Sequence, residues 1–445
     1  MRQDVDMRAS VAILVAVAGF HQANAADLLE VYRAAQSGDP VFAGARAAQQ
    51  AGQEKLPQGR ALLMPVISFN ANSTLNDQTT QYRGATLFPS GKHRYNSNGY
   101  GVTLVQPLFR QQNWLAYSEV ELQVAQTEAQ FKIAEHDLAL RAAQAYFDVL
   151  VAQDSVQLAD AQKSAIAEQL EQAKLNFKVG TATITDTHEA QARFDLTSAQ
   201  EIAAQNNLEI KRQTLQQLIN VMPQHLKPLG KELKLKVPQP ADMETWVDVA
   251  QVNNPKLAIA KAAAGLAAKE VTRNLGGHFP TVDLIANYST NHANGGSFDV
   301  GSDSANKSIG VQFNLPLFQG GAISSKWREA QANRNRSEDE LENTRRSVAT
   351  QTRQAYLGVL NGVAQANALQ QALISSENVL EASKLGQQVG VRTNLDVLNA
   401  QQQLFSTRRD LYQAEYGYLL SQLRLKASAG SLGEQDIVEI NQMLY

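Results

Sequence analysis

From Gln111 to Lys178 the chain runs 68 residues without a glycine or a proline. A helix of that length spans roughly 100 Å at ~1.5 Å per residue, far more than an ordinary globular domain accommodates. Within it Leu138, Ala142, Ala145, Val149, Ala152, Val156 and Ala159 step alternately by four and three, the ~3.5-residue period of a supercoiled seam. Alanine at most of these places lets a neighbouring helix come close. Val348, Ala355, Val359, Ala366 and Leu369 occupy matching places later in the chain. Composition agrees: hydrophobic content is 44% but aromatics are only 7%, too few large side chains to fill a thick core, while alanine and glutamine suit long helices with wet surfaces.

The long helix is said twice. Ala143–Leu150, AQAYFDVL, returns as RQAYLGVL at Arg353–Leu360, and Lys178–Ala190, KVGTATITDTHEA, returns as QVGVRTNLDVLNA at Gln388–Ala400, both offset by 210. Gln106–Phe109, QPLF, answers Leu315–Phe318, LPLF; GDPVFAGARAA from Gly38 answers NNPKLAIAKAA from Asn253; MPVISFNAN from Met64 answers FPTVDLIAN from Phe279. Co-linear echoes of this kind mark a tandem duplication. The expected organisation is a leader at 1–25, a first repeat at 26–235 and a second at 236–445. Each repeat is expected to begin with one helix (Asp27 to Arg60, Ala241 to Leu275), continue with two strands around a polar loop, and close with a long helix, a sharp Val-Gly stop (Val179-Gly180, Val389-Gly390) and a returning helix of about 40 residues. Glycine there fits the left-handed residue that ends a helix.

The strands alternate. Ile67, Phe69, Ala71 and Leu75 face away from Ser68, Asn70, Asn72 and Thr74; Tyr100, Val102 and Leu104 alternate likewise; Ile309, Val311, Phe313 and Leu315 oppose Ser308, Gly310, Gln312 and Asn314. In Val282 to Thr290 the pattern is less clean, because Ile285 falls on the polar side. Period-two patterning over about ten residues, apolar on one face, suits either an ordinary half-buried hairpin or a membrane-crossing barrel strand. The glycine- and serine-rich stretch from Asn291 to Ser308 reads as an extracellular loop. Export is indicated by Arg8, the apolar run Val11 to Phe20 and small residues at Ala23 and Ala25, the layout of a signal peptide cleaved before Ala26; translation from Met7 would remove the misplaced Asp4 and Asp6. No later segment suits a transmembrane helix, so a membrane would be crossed by strands. Four strands per chain cannot close a barrel that needs about eight; their edges demand other copies. Two copies make a lumen filled by side chains, three an open pore. The architecture is that of an exported oligomeric conduit.

Leu315–Gly321 (LPLFQGG), Lys178–Asp186 (KVGTATITD), Gln388–Leu398 (QVGVRTNLDVL), Gly430–Ile437 (GSLGEQDI) and the duplicated layout together resemble the TolC family of outer-membrane efflux and secretion channels of Gram-negative bacteria. The resemblance covers essentially the whole chain from Ala26. It implies a mostly α-helical homotrimer with a small β part: a helical barrel crossing the periplasm, joined to a twelve-stranded barrel, four strands per chain, in outer-membrane lipid. It implies a passive exit duct, served by a periplasmic adaptor protein and an inner-membrane ABC ATPase or proton-driven transporter. At the closed periplasmic end it implies that Arg392 ties the second hairpin to Thr185 and Asp186 of the first, with Gln387 standing where the family's best-known members have tyrosine. Asp396 would line the aperture, and Asn399 stands where those members carry a second acid, so a weaker cation-binding constriction is expected. The alternative reading makes Asp186 and Asp396 caps of the returning helices. Val179, Gly180, Val389 and Gly390 would meet the adaptor at the exposed tips, or simply satisfy a turn.

No enzymatic site is expected. The chain has no cysteine, so thiolate chemistry and disulfides are excluded. Its histidines fit no H-E-x-x-H pattern and no phosphate loop occurs, so neither metal nor nucleotide cofactor is indicated. A net charge of −3 gives no basic face for nucleic acid. The lack of a cysteine after the leader argues against a lipid anchor and leans toward the type I secretion branch of the family. A structural or adhesive trimeric coiled coil is the alternative reading, opposed by the alternating strands.

Overall fold

The computed structural model describes residues 25–444 apart from 85, 86, 88, 89, 222, 224, 231, 232, 234 and 297–299. The expected leader therefore lies outside the described residues, but for its last residue. Three helices, α1 (Leu28–Gly38), α2 (Pro40–Gln53) and α3 (Lys55–Ala61), lead to strands β1 (Val66–Thr80) and β2 (Gly91–Phe109) and to the long hairpin α4 (Gln111–Lys178) and α5 (Ile184–Ile219). The series then recurs: α6 (Met243–Asn253), α7 (Pro255–Leu275), β3 (Thr281–Ala293), β4 (Ser302–Asn314), α8 (Ala322–Gln388) and α9 (Asn394–Ala429), closed by α10 (Glu434–Asn441).

The single leading helix expected in each half is in fact broken. Asp39 caps α2, its carboxylate accepting from the N–H groups of Val41 and Phe42, with Pro40 at the first helical position; Asn254 and Pro255 do the same for α7. Proline fixes a helical φ but disfavours helix in the residue before it, so Asp39 and Asn254 are forced extended. The Asp39 carboxylate is buried and held by Arg141 of α4 at 2.7 Å, which ties the break to the long helix. The returning helices have 36 residues each.

The strands form one antiparallel sheet in the order β1-β2-β3-β4. Its register aligns Ile67 with Leu104, Phe69 with Val102, Leu104 with Ala286, Ala286 with Ile309 and Leu284 with Val311, so one continuous face is apolar. Phe69 is 67% exposed and Ile309 75%. The opposite face carries Ser68, Asn70, Thr103, Asn287 and Ser308; Ile285 lies there too, between Val105 and Gly310. The strands outrun the expected ten residues. The polar stretch expected as a loop from Asn291 is strand as far as Ala293 and again from Ser302, because the ladder between strands satisfies the backbone whatever the side chains do. Among the described residues β1 and β4 each have one unpaired edge. At the foot of the sheet Arg110, the residue before α4, holds Asp283 of β3 through two bonds of 2.7 and 2.6 Å, fixing the angle at which strand becomes helix.

The seam from Leu138 to Ala152 is buried, as are Val348, Val359 and Ala366; Val156 and Ala159 are half-buried. Around it lies the main core, where Tyr146, Phe147 and Leu150 of α4 meet α1 and Tyr416, Tyr418 and Leu423 of α9. Tyr146 donates to the carbonyl of Lys227 at 2.7 Å, and its counterpart Tyr356 to that of Ala241 at 2.8 Å. Each repeated tyrosine thus pins a connecting segment against its long helix.

Candidate functional site

The two hairpin tips are built alike. Gly180 (φ 80°) and Gly390 (φ 77°) are left-handed, a conformation that costs a residue with a Cβ roughly 1 kcal/mol or more. The glycine N–H groups reach back to Phe177 and Gln387 at 3.1 Å, and the next residues to Asn176 and Gly386 at 2.9 Å, the paired bonds of a Schellman end. Val179, Val389 and Val391 are 65%, 66% and 76% exposed, so each tip presents an apolar point to water. The returning helices then open on matched capping boxes, Thr183 with Asp186 and Thr393 with Asp396. In each, one carboxylate oxygen accepts the threonine N–H and hydroxyl at 2.8 Å. The T-x-x-D spacing carried this signal, and the expected cap role of both aspartates is what one chain displays. Cap bonding, helped by Arg392, holds the Asp396 carboxyl below its ordinary range.

Between the tips, Arg392 has no counterpart. Arg392 follows the Gly390 turn, and its stem lies over Gly386, where a Cβ would meet the arginine Cγ at 2.6 Å. Its guanidinium stands 3.7 Å from the second oxygen of Asp396. In the first tip the equivalent places hold Ala182 and Asn176, so among the described residues the second oxygen of Asp186 has no hydrogen-bond or ion partner. The tie expected from Arg392 to Thr185 and Asp186 is not among the contacts within the chain; Arg392 is instead paired one helical turn along its own hairpin. Thr185 is exposed on the first turn of α5. Gln387 donates to Asn394 at 3.2 Å, inside the same tip. Asn399, expected to line an aperture, accepts a bond from Arg193 of α5 at 2.9 Å, and Gln402 accepts a second from the same guanidinium. Sequence reasoning missed Arg193, because a link between helices about 200 residues apart leaves no local pattern.

Higher up, α4 and α9 share a polar patch. Tyr416 donates to Asp154 at 2.9 Å, and burial raises the Asp154 carboxyl. Burial, then the neighbouring Asp154 charge, pushes Glu415 up to about 7. Among the described residues no group of histidine and carboxylate side chains is arranged to hold a metal ion, and no helix is long and apolar enough to cross a membrane.

A four-stranded sheet with an apolar outer face, set on helices of roughly 100 Å that end in capped tips, defines an outer-membrane duct that reaches into the periplasm. Two stretches, residues 31–221 and 246–431, match the family described as outer membrane efflux protein. The chain is 31% identical over 445 residues to "Outer membrane protein TolC" of Escherichia coli (strain K12), covering 98% of this chain and 88% of that protein. It is 30% identical to "Proteases secretion protein PrtF" of Dickeya chrysanthemi, over 94% of this chain and 91% of that one. Identity to "Alkaline protease secretion protein AprF" of Pseudomonas aeruginosa is 33%, over 92% and 85%. Among solved structures, the outer membrane protein VceC of Vibrio cholerae superposes with a TM-score of 0.76 at 20% identity, over 91% of this chain and 96% of that one. CusC gives 0.77 at 17% identity, over 91% and 92%. The chain belongs to the outer membrane efflux protein family, and is an exit duct of the outer membrane rather than an adhesive coiled coil.

Proposed function

We propose that three copies of this chain form one continuous passive channel, closed at the hairpin tips and opened there when the hairpins part. The observation that carries the reading is the open sheet. Four strands with an exposed apolar face and two unpaired edges need other copies in lipid, and three give twelve strands with a water-filled lumen. The leader at 1–25 delivers the chain, and the repeats at 26–235 and 236–445 each supply two strands and one helical hairpin. The channel performs no chemistry and needs no cofactor. A periplasmic adaptor meets the tips at Val179, Gly180, Val389 and Gly390, where exposed valines offer apolar surface, and an inner-membrane ABC ATPase or proton-driven transporter supplies the energy. Exported protein is the cargo best supported, since two relatives are named for protease secretion.

At the gate, Arg392 is a guanidinium with two equivalent cap carboxylates to choose from. It sits beside Asp396, while Asp186, next to Thr185 and with one oxygen unclaimed, is the acceptor for the closed trimer; an arginine fork serves a carboxylate and a hydroxyl together. Gln387 steadies the turn from which Arg392 projects, and Asp396 and Asn399 border the narrow passage. The test is single-channel conductance of the purified protein in planar bilayers against Arg392→Ala. A small conductance that rises several-fold in the variant is the expected result; a pore of unchanged conductance removes the Arg392 lock and leaves the duct.

A further inference from the structure

The apolar face of the sheet ends at a cation. Along β4 it runs through Phe313, Val311 and Ile309 to Lys307, and along β3 through Val282, Leu284 and Ala286 to Tyr288. The register sets Lys307 directly beside Tyr288, and the ammonium stands over the tyrosine ring, 5.6 Å from its centroid. Both strands join the helices at the opposite end, where Asn314 leads on to α8. Lys307 therefore lies roughly 20 Å along β4 from the helical end, at the extracellular rim of the apolar band. Tyr100 of β2, 53% exposed, marks the same rim, as the aromatic girdle of a membrane barrel does.

Two observations at this rim point to a ligand. The first is a shallow cleft of about 600 Å³ on the apolar face, lined by Phe69 and Tyr100 and, between them and the β4 edge, by Thr290 and Ala305. The register explains it. Thr290 pairs with Ala305, and these small side chains lie between two larger pairs, Tyr288 with Lys307 and His292 with Asp303. The second observation is charge. Among the described residues this face carries Lys92, Arg94 and Lys307 against two acids, Asp77 and Asp303. Asp77 meets Lys92 at 3.2 Å and lies across from Arg94, and Asp303 pairs with His292. No carboxylate among the described residues pairs with Lys307. Its stem runs over apolar surface and its head is steadied by the ring, which leaves the charge to an anion from outside the chain. At the boundary of a bilayer, beside acyl chains, that anion is a lipid phosphate.

We propose that Lys307 and this cleft bind a phosphate-bearing lipid of the outer leaflet, with the ammonium on the phosphate and one acyl chain along the cleft. The His292–Asp303 pair borders the headgroup. This rests on the reading that the apolar face of the sheet meets lipid. The charge and the cleft act separately, so two variants tell them apart. The experiment titrates the purified, detergent-solubilised trimer with dipalmitoyl phosphatidate, and in parallel with dipalmitoyl glycerol, which has the same chains and no phosphate. Native mass spectrometry counts the lipids retained and shows in the same spectra that each variant is a trimer. The wild type is expected to bind phosphatidate more tightly than the glycerolipid, up to one per chain. Lys307→Gln should weaken phosphatidate about fivefold and leave the glycerolipid unchanged, while Lys307→Arg keeps the preference. Thr290→Trp, which fills the cleft, should weaken both lipids. Wild-type affinity for phosphatidate in Lys307→Gln overturns the phosphate contact, and wild-type affinity for both lipids in Thr290→Trp overturns the cleft. A wild-type trimer that retains neither lipid removes the lipid-facing reading of the sheet, and this inference with it.

Discussion

The two hairpin tips share one backbone and differ in who is charged. Both stop on a left-handed glycine, both restart on a Thr-x-x-Asp cap, and their hydrogen bonds agree to 0.1 Å. Yet the second tip places Arg392 over Gly386 where the first has Ala182 and Asn176, and the first places Arg193 where the second has Gln403. Arg392 and Arg193 therefore each lack a counterpart in the other hairpin. Duplication supplied two identical turns, and divergence put a cation on each at a different height. Backbone-determined features stayed common, because a cap or a turn fails in either copy for the same reason. Side-chain links were free to diverge, because they act only between the copies.

The comparison is broken most forcefully at the repeated tyrosines. Tyr146→Ala and Tyr356→Ala both empty a core site and orphan a connecting-segment carbonyl, and each is expected to cost about 3–5 kcal/mol. Tyr146, fully buried where Tyr356 is 6% exposed, should be the worse, read as the larger fall in the temperature at which detergent-solubilised trimer is lost. A reversed order would mean that the second repeat, not the first, carries the core. The caps sharpen the comparison at smaller scale. Thr183→Val and Thr393→Val should each cost about 1 kcal/mol, equally, since the bonds are equal. Both should also change channel conductance, because each frees from its cap one of the two carboxylates that serve Arg392; wild-type conductance in both variants would show that the capped aspartates take no part in the lock.

A third difference is at the α4–α9 patch, where the acids belong to unmatched positions: Asp154 corresponds to Ala364 and Glu415 to Gln205. Burial and Asp154 raise the Glu415 carboxyl to about 7, so the folded seam binds a proton that the unfolded chain releases near its ordinary 4.5. The stabilisation is full below about 4.5 and is lost as pH rises through 7. Melting at pH 5 should exceed that at pH 8, and Glu415→Gln should flatten the difference by raising the pH 8 value. A wild type as stable at pH 8 as at pH 5 would place Glu415 in water.

Much of this was open to inspection in the amino-acid order, and the missing parts have physical causes. The long helix α4 was legible to the residue, because glycine and proline at its ends are decisive and their absence within is cheap to see. The breaks at Asp39 and Asn254 were written in Asp-Pro and Asn-Pro, but the apolar period continues across them and masked the stop. Strand ends were hidden because residues such as Asn291 and Ser302 to Ser308 lie on a ladder with no apolar face to betray them. At the tips, Gly180 and Gly390 were found from the stop in the helical pattern, and Asp186 and Asp396 came with the family resemblance, capping being the alternative reading; the partner that Arg392 has within the chain and the very relevance of Arg193 were not found.

What the sequence by itself determined was everything periodic or local: two copies of one plan, helices of a given length, strands with one apolar face, and the turn and cap at each tip. These depend on backbone geometry and on neighbours within a few residues, so the order of residues suffices. What only the tertiary structure decided was the pairing across the copies: that Arg193 clasps Asn399 and Gln402, that Arg392 turns to Asp396 within its own hairpin, and that Tyr416 meets Asp154. A guanidinium has several acceptors in reach once helices are packed, and the choice among them is made by the positions of helices about 200 residues apart, which no local pattern records.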